Sequence, residues 1–150
     1  MTLYLDTSSL VKLYVAESGG DSVRAHVDRA TIVATSMIAY PEARAALARR
    51  HRERALAPAA FAAAKRKFEA DWPKYLAVQV TETLCKDAGQ LGERHALRGY
   101  DSVHLASFLE VARQAGAADT EFSSFDDRLN AAARNAARAL ARERSRLKRL

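Results

Sequence analysis

The chain is predicted to fold as an α/β protein with a central parallel sheet flanked by helices, and three features of the sequence lead there. Four short apolar or β-branched runs alternate with longer stretches of helical periodicity, the βα order that builds parallel sheets. With 150 residues, 49% of them apolar and 28% charged, there is material for one shared core and too little length for two ordinary domains. Two acids, Asp6 and Asp126, follow directly on strand runs, and ligand chemistry in such sheets gathers outside the C-terminal strand ends.

Leu3, Tyr4 and Leu5 form the first buried strand, ending at Asp6, with Thr7, Ser8 and Ser9 as helix-start residues behind it. Helical spacing over Leu10 to Val15 closes near Gly19-Gly20, and Asp21 to Val27 predicts a second short helix. Thr31 to Thr35 is the second strand, and Ser36 to Arg54 a long Ala/Arg-rich helix carrying Glu42. Pro41 requires either a kink there or a regular helix that starts at the proline. Pro58 opens a helix through Tyr75, with Trp72-Pro73 near its end. Leu76 to Val80 supplies the third strand and Thr81 caps a helix to His95. Gly99 breaks the pattern, Tyr100 to Gln114 resumes it with Asp101 at its beginning, and Thr120 to Phe125 is the fourth strand. Asp126 then stands before a basic terminal helix at about 127–149.

The net charge of +6 is uneven. Residues 128–150 carry eight Arg or Lys against one Glu, which leaves 16 cations and 17 acids, a net −1, in residues 1–127. A polyanion partner suits that asymmetry, as does a merely solvated basic helix. Cys85 is the only cysteine, which excludes an internal disulfide and a Cys-rich zinc site and predicts a reducing, cytoplasmic setting. No basic leader precedes the first strand, and no segment reaches the roughly 18 apolar residues of a membrane span, so no membrane association is expected.

Asp6, Glu42, Asp101 and Asp126 are the candidate functional acids, each near a strand end or in an early helical turn that parallel topology directs to one edge. Each also has a local reading: Asp6 as a helix cap, Glu42 as a solvent-facing residue, Asp101 and Asp126 as favourable charges at helix starts. Gathered together, four carboxylates would raise one another's pKa unless a divalent ion neutralised them, and magnesium or manganese suits oxygen ligands.

In order and spacing these segments resemble the PIN-domain family, specifically the VapC-like toxins of bacterial toxin–antitoxin pairs, over residues 2 to about 133. The matching strings are Leu3-Tyr4-Leu5-Asp6-Thr7-Ser8-Ser9-Leu10-Val11-Lys12, Tyr40-Pro41-Glu42-Ala43-Arg44-Ala45-Ala46-Leu47, Tyr100-Asp101-Ser102-Val103-His104-Leu105-Ala106 and Phe122-Ser123-Ser124-Phe125-Asp126-Asp127-Arg128-Leu129. The resemblance implies a single PIN-like domain over 1–150 with Asp6, Glu42, Asp101 and Asp126 as catalytic metal ligands for Mg2+ or Mn2+ and Ser8 and Ser124 as supporting groups. For the fourth acid, Asp127 and Asp119 are named substitutes. The run through Leu150 departs from the short final helix usual in such toxins.

What the resemblance implies in function is hydrolysis within an RNA chain, leaving a 5′-phosphate and a 3′-hydroxyl, with a cognate VapB-like antitoxin and a homodimer as partners. Arg44, Arg49 and Arg50, on the helix after Glu42, are the candidate substrate contacts, against the reading of a charged outer face. His104, one turn beyond Asp101, is read as a packing or surface residue rather than a ligand. Two rivals are weighed. A phosphatase using Asp6 as nucleophile lacks the second Asp two positions on, where Ser8 stands, and a non-catalytic binding module leaves four intact acids unexplained.

Overall fold

Strands β1 (Thr2–Leu5), β2 (Ile32–Ser36), β3 (Leu76–Val78) and β4 (Thr120–Ser123) form one parallel sheet in a computed structural model that describes residues 1–150. The spatial order is β3-β2-β1-β4. The chain therefore steps outward from β1 to β3 and crosses back to place β4 on the far side of β1. That reversal puts the topological switch point, where neighbouring connections diverge and leave a crevice, between the C-terminal ends of β1 and β4. Register there runs Thr2↔Thr120 to Leu5↔Ser123, so Asp6 and Ser124 emerge side by side.

Side chains alternating along β1 feed two cores, as the two-residue period of a strand requires. Leu3 and Leu5 enter one core with Leu10, Val11, Tyr14, Leu47 and Phe68. These come from helices α1 (Thr7–Val11), α3 (Ala39–Arg52) and α4 (Pro58–Asp71) and, for Tyr14, from the turn after α1, and α2 (Gly20–Arg29) adds Val23. Tyr4, fully buried, points the other way into a core with Leu105, Phe108 and Leu129 from α6 (Gly99–Ala115) and α7 (Asp127–Leu147). A small third cluster joins α5 (Glu82–His95) to α6 through Leu84, Ala88 and Ala106.

Every expected element forms, with shifted ends. The first helix starts at Thr7 and ends at Val11, earlier than the Leu10 to Val15 spacing indicates, because the Asp6 carboxylate caps it at once. Pro41 kinks nothing: it is the third residue of α3, where the backbone N–H has no intrahelical acceptor to lose. Gly99 begins α6 rather than interrupting it, and the Trp72-Pro73 segment forms a 3-10 turn at Trp72–Lys74. Gly19, with φ of +88°, admits the ring of Phe125 where a Cβ would lie 2.5 Å away, so the α1–α2 connection packs on the β4–α7 loop. No helix is long and apolar enough to cross a membrane.

Candidate active site

Asp6 is the centre of the crevice. It is 4% exposed, and its Oδ1 accepts from the Ser8 hydroxyl at 2.7 Å and the Ser9 backbone N–H at 3.0 Å. Oδ2 accepts from the Ser124 hydroxyl at 2.6 Å. A carboxylate has about four acceptor positions, so one remains for an outside partner. Ser124 Oγ in turn accepts from the Asp126 N–H at 3.0 Å, and Ser8 Oγ from the Phe125 N–H at 3.0 Å. Behind them Ser9 Oγ and Ser123 Oγ lie 2.9 Å apart. Three of these hydrogen bonds, Ser124 to Asp6, the Phe125 N–H to Ser8 and the Ser9–Ser123 hydroxyl pair, bind the start of α1 to the end of β4, and both expected supporting serines take part. Ser8 holds the Asp6 carboxylate in place at the position where the phosphatase reading needs a second acid.

Glu42 is tethered to the same corner from a different direction. Its Oε1 accepts from Thr7 Oγ1 at 2.7 Å and from His104 Nε2 at 2.9 Å. His104 is 2% exposed, and its Nδ1 lies 2.8 Å from the hydroxyl of buried Tyr4. Burial raises the Tyr4 phenol well above its ordinary pKa, so it stays protonated beside Nδ1, while Nε2 faces the Glu42 carboxylate. The pair of inner acids then titrates in opposite senses. Burial pushes the Asp6 carboxyl up, and the neutral hydroxyls of Ser124 and Ser8 offset this only in part. Burial also pushes Glu42 up, but hydrogen bonds from His104 and Thr7 outweigh it and hold Glu42 below the usual range.

Asp126 and Asp101 are held locally. Asp126 caps α7, its Oδ1 accepting from the Leu129 N–H at 3.0 Å, and it is joined to Asp6 through Ser124. Asp101 lies in the first turn of α6, which runs back along the sheet so that its start faces the C-terminal strand ends; its Oδ2 accepts from Arg98 Nε at 3.2 Å. Its link to the other acids runs through the helix to His104, one turn on. Of the substitutes for the fourth acid, Asp127 is the exposed first residue of α7. Asp119 precedes β4 and meets the Met1 amino group at 3.7 Å, at the opposite edge of the sheet.

No three His, Cys, Asp or Glu side chains converge into a ready-made metal cage. The donor set of the four acids is nonetheless all oxygen, and magnesium is usually held by one or two carboxylates with retained waters rather than by a complete protein shell. The chemistry of the residues fits such an ion. The three arginines expected at the substrate each end on a carboxylate: Arg44 on Glu69 at 2.6 Å, Arg49 on Glu53 at 2.9 Å, and Arg50 on Glu17.

Thr7, Tyr4 and Ser9 are the site residues that sequence reasoning passed over, and His104 was read for packing without its bond to Glu42. The available signal for His104 was its i+3 spacing from Asp101 on a helix otherwise apolar at that face.

No protein-family model matches the chain. Two curated relatives do: Ribonuclease VapC45 and Ribonuclease VapC49, from two strains of Mycobacterium tuberculosis. Each is 42% identical over 109 residues, which span 73% of this chain and 76% of the relative. Among solved structures, Mycobacterium tuberculosis VapC20, described as a sarcin–ricin loop cleaving toxin, superposes with a TM-score of 0.63 at 22% identity, over 87% of this chain and 94% of that one. That structural likeness shows the fold. The sequence identity to the two ribonucleases shows the family: the chain belongs to the VapC ribonucleases, with their PIN-like α/β fold.

Proposed function

We propose that this protein is an endoribonuclease dependent on Mg2+ or Mn2+ and the toxin of a toxin–antitoxin pair. The observation that carries the reading is the buried Asp6 at the β1–β4 switch point, fixed by three donors with an acceptor position to spare and flanked by Glu42 and Asp126. The names of the two ribonuclease relatives support RNA as the substrate class.

Asp6, Asp101 and Asp126, with Glu42, are the residues that would hold the ion, which when bound activates water and neutralises charge on the scissile phosphate. Ser8, Ser124 and the Ser9 amide keep the Asp6 carboxylate in one orientation, so its geometry needs no rearrangement when charge develops. Glu42, whose carboxyl His104 and Thr7 hold below the usual range, would orient a water or add charge to the ligand set. The products are a 5′-phosphate and a 3′-hydroxyl. Arg44, Arg49 and Arg50 are proposed phosphate contacts that exchange their present carboxylate partners for RNA. Arg49, 72% exposed, is the most available of them.

The same reading takes a VapB-like antitoxin as the silencing partner, a homodimer as the assembly and the cytoplasm as the location. Purified wild type, Asp6→Asn and Asp101→Asn on a pool of structured cellular RNAs, with magnesium, manganese or chelator, test the activity. Metal-dependent cleavage lost in both variants is expected. Cleavage in chelator, or equal cleavage by all three proteins, would sink the proposal.

A further inference from the structure

Helix α7 starts at the acidic mouth and runs back along the sheet, burying Leu129, Ala132, Ala133 and Ala136. On its opposite face Arg134, Arg138, Arg142 and Arg146 recur every four residues, all exposed. At 1.5 Å per residue this ridge begins about 12 Å along the axis from Asp126 and ends about 30 Å away. Some helical cations elsewhere pair with nearby acids, as in Arg24 with Asp21, Arg49 with Glu53, and Lys86 with Glu82, and others such as Arg29, Arg66 and Arg94 do not; α7 differs in aligning four arginines at a four-residue spacing on one face. None of the four ridge arginines forms an ion pair. Glu143, the one acid in residues 128–150, lines a groove with Arg94, His95 and Arg113 instead.

Like charges four apart repel and weaken a helix, so the ridge is unfavourable to folding by itself. A helix face merely solvated for solubility would interleave both signs. We propose that the ridge is a docking surface for RNA phosphates, distinct from the acidic mouth; the proposal rests on the ribonuclease reading. Guanidinium groups match phosphate oxygens in bidentate fashion. The residues beside them, Asn135, Ala139, Ala141 and Ser145, are small or polar. They offer neither the aromatic anchors of a protein hot spot nor the bulky apolar face by which a helix lies in a membrane. An RNA long enough to leave the mouth would find this track along α7, and a short one would not.

The test uses the full chain with all four ridge arginines changed to alanine, and a second variant with all four changed to lysine. Binding of a 30-nucleotide hairpin RNA is followed by fluorescence anisotropy in chelator over a salt series, and cleavage of a six-nucleotide RNA is followed with magnesium or manganese. Circular dichroism and thermal melting confirm the fold. The alanine variant is expected to bind the hairpin at least tenfold more weakly at the lowest salt, with a slope of log K against log salt reduced by about 3, while cleaving the short RNA within twofold of wild type. The lysine variant should keep most of the slope. An unchanged slope and affinity for the alanine variant would overturn the ridge, as would equal losses on both RNAs. Wild type that cleaves neither RNA, yet binds the hairpin with a ridge-dependent slope, would instead remove the ribonuclease reading.

Discussion

Asp6 and Glu42 each accept from a side chain far away in sequence, in addition to the local Ser8 and Ser9 donors of Asp6, whereas Asp101 and Asp126 are held only by groups within three residues of themselves. Ser124 reaches Asp6 across 118 positions, and His104 reaches Glu42 across 62. Arg98 and the Leu129 amide are each only three positions from their acids. The long-range pair is consequently buried or half-buried and shifted in pKa, in opposite directions, whereas the local pair performs the ordinary work of a helix start. One residue type thus serves two purposes: acids that draw a partner from across the fold, and acids whose partners all lie at their own helix start.

The sharpest way to break the comparison is Asp6→Asn. Asn keeps the shape and the Oδ1 acceptor for Ser8 and Ser9 but removes the charge, so RNA cleavage is expected to fall by roughly 10²–10³-fold, the scale of losing one preorganised electrostatic group. Stability should move the other way. The native pKa of Asp6 is raised, so the wild type is unpenalised below the unfolded value near 3.8 and loses stability as pH rises through the native value. Melting of both proteins from pH 4 to pH 8 should show Asp6→Asn as stable as wild type at the acid end and more stable at the neutral end. A variant less stable at pH 8 would mean that Asp6 is structural before it is functional.

Glu42→Gln should show the opposite sign. With its native pKa lowered, Glu42 contributes stability that is present above the unfolded value of 4.5 and lost as pH falls through the native one. The variant should be less stable than wild type at pH 7, with the gap closing as the solution is acidified, and its cleavage should drop by roughly 10-fold to 100-fold. A gap that widens in acid would show that His104 and Thr7 do not stabilise the charged form.

The same contrast explains what could be read from the chain in advance. Strand identity, helix order and the parallel sheet followed from local patterns: the apolar Leu3-Tyr4-Leu5 run, the Thr81 cap, the switch from period two to period 3.6. The four acids could be nominated from the sequence because each stands beside such a local signal. The tether of Glu42 was not, since Thr7, His104 and Tyr4 come from three elements whose approach depends on the crossover that returns β4 to the side of β1. Helix ends slipped for a related reason: the Asp6 cap displaced α1 toward its start, and Pro41 fell in a turn where its missing N–H costs nothing. The arginines of α3 illustrate the converse, since their carboxylate partners Glu17 and Glu69 lie on neighbouring segments that no periodicity announces.

Asp126 allows its two roles to be separated. Alanine removes both the cap and the charge, whereas asparagine removes only the charge and is itself a strong cap. Asp126→Ala is expected to lose about 1 kcal/mol, a fall in Tm of about 2–4 °C for a chain of this size, and Asp126→Asn to lose little. Both should cleave RNA poorly if the carboxylate charge is what the site uses. Full activity in the asparagine variant would reduce Asp126 to a cap and leave Asp6, Glu42 and Asp101 as the ligand set.

The smallest effect is expected at Arg98, and it bears on how Asp101 is held. Arg98 is 84% exposed and meets Asp101 three residues along the chain at 3.2 Å. Exposed pairs of this kind within one helical turn contribute about 0.3–0.5 kcal/mol because solvent screens them and the long side chain must be ordered. Helix α6 already fixes the Asp101 backbone through the buried Ser102, His104 and Leu105 that follow it. Arg98→Ala should therefore shift Tm by no more than about 2 °C and leave cleavage within about threefold of wild type, while Asp101→Asn abolishes most of it. A tenfold loss on removing Arg98 would mean that the arginine aims the carboxylate, and Asp101 would then join Asp6 and Glu42 as an acid positioned by its side-chain partner rather than by its helix.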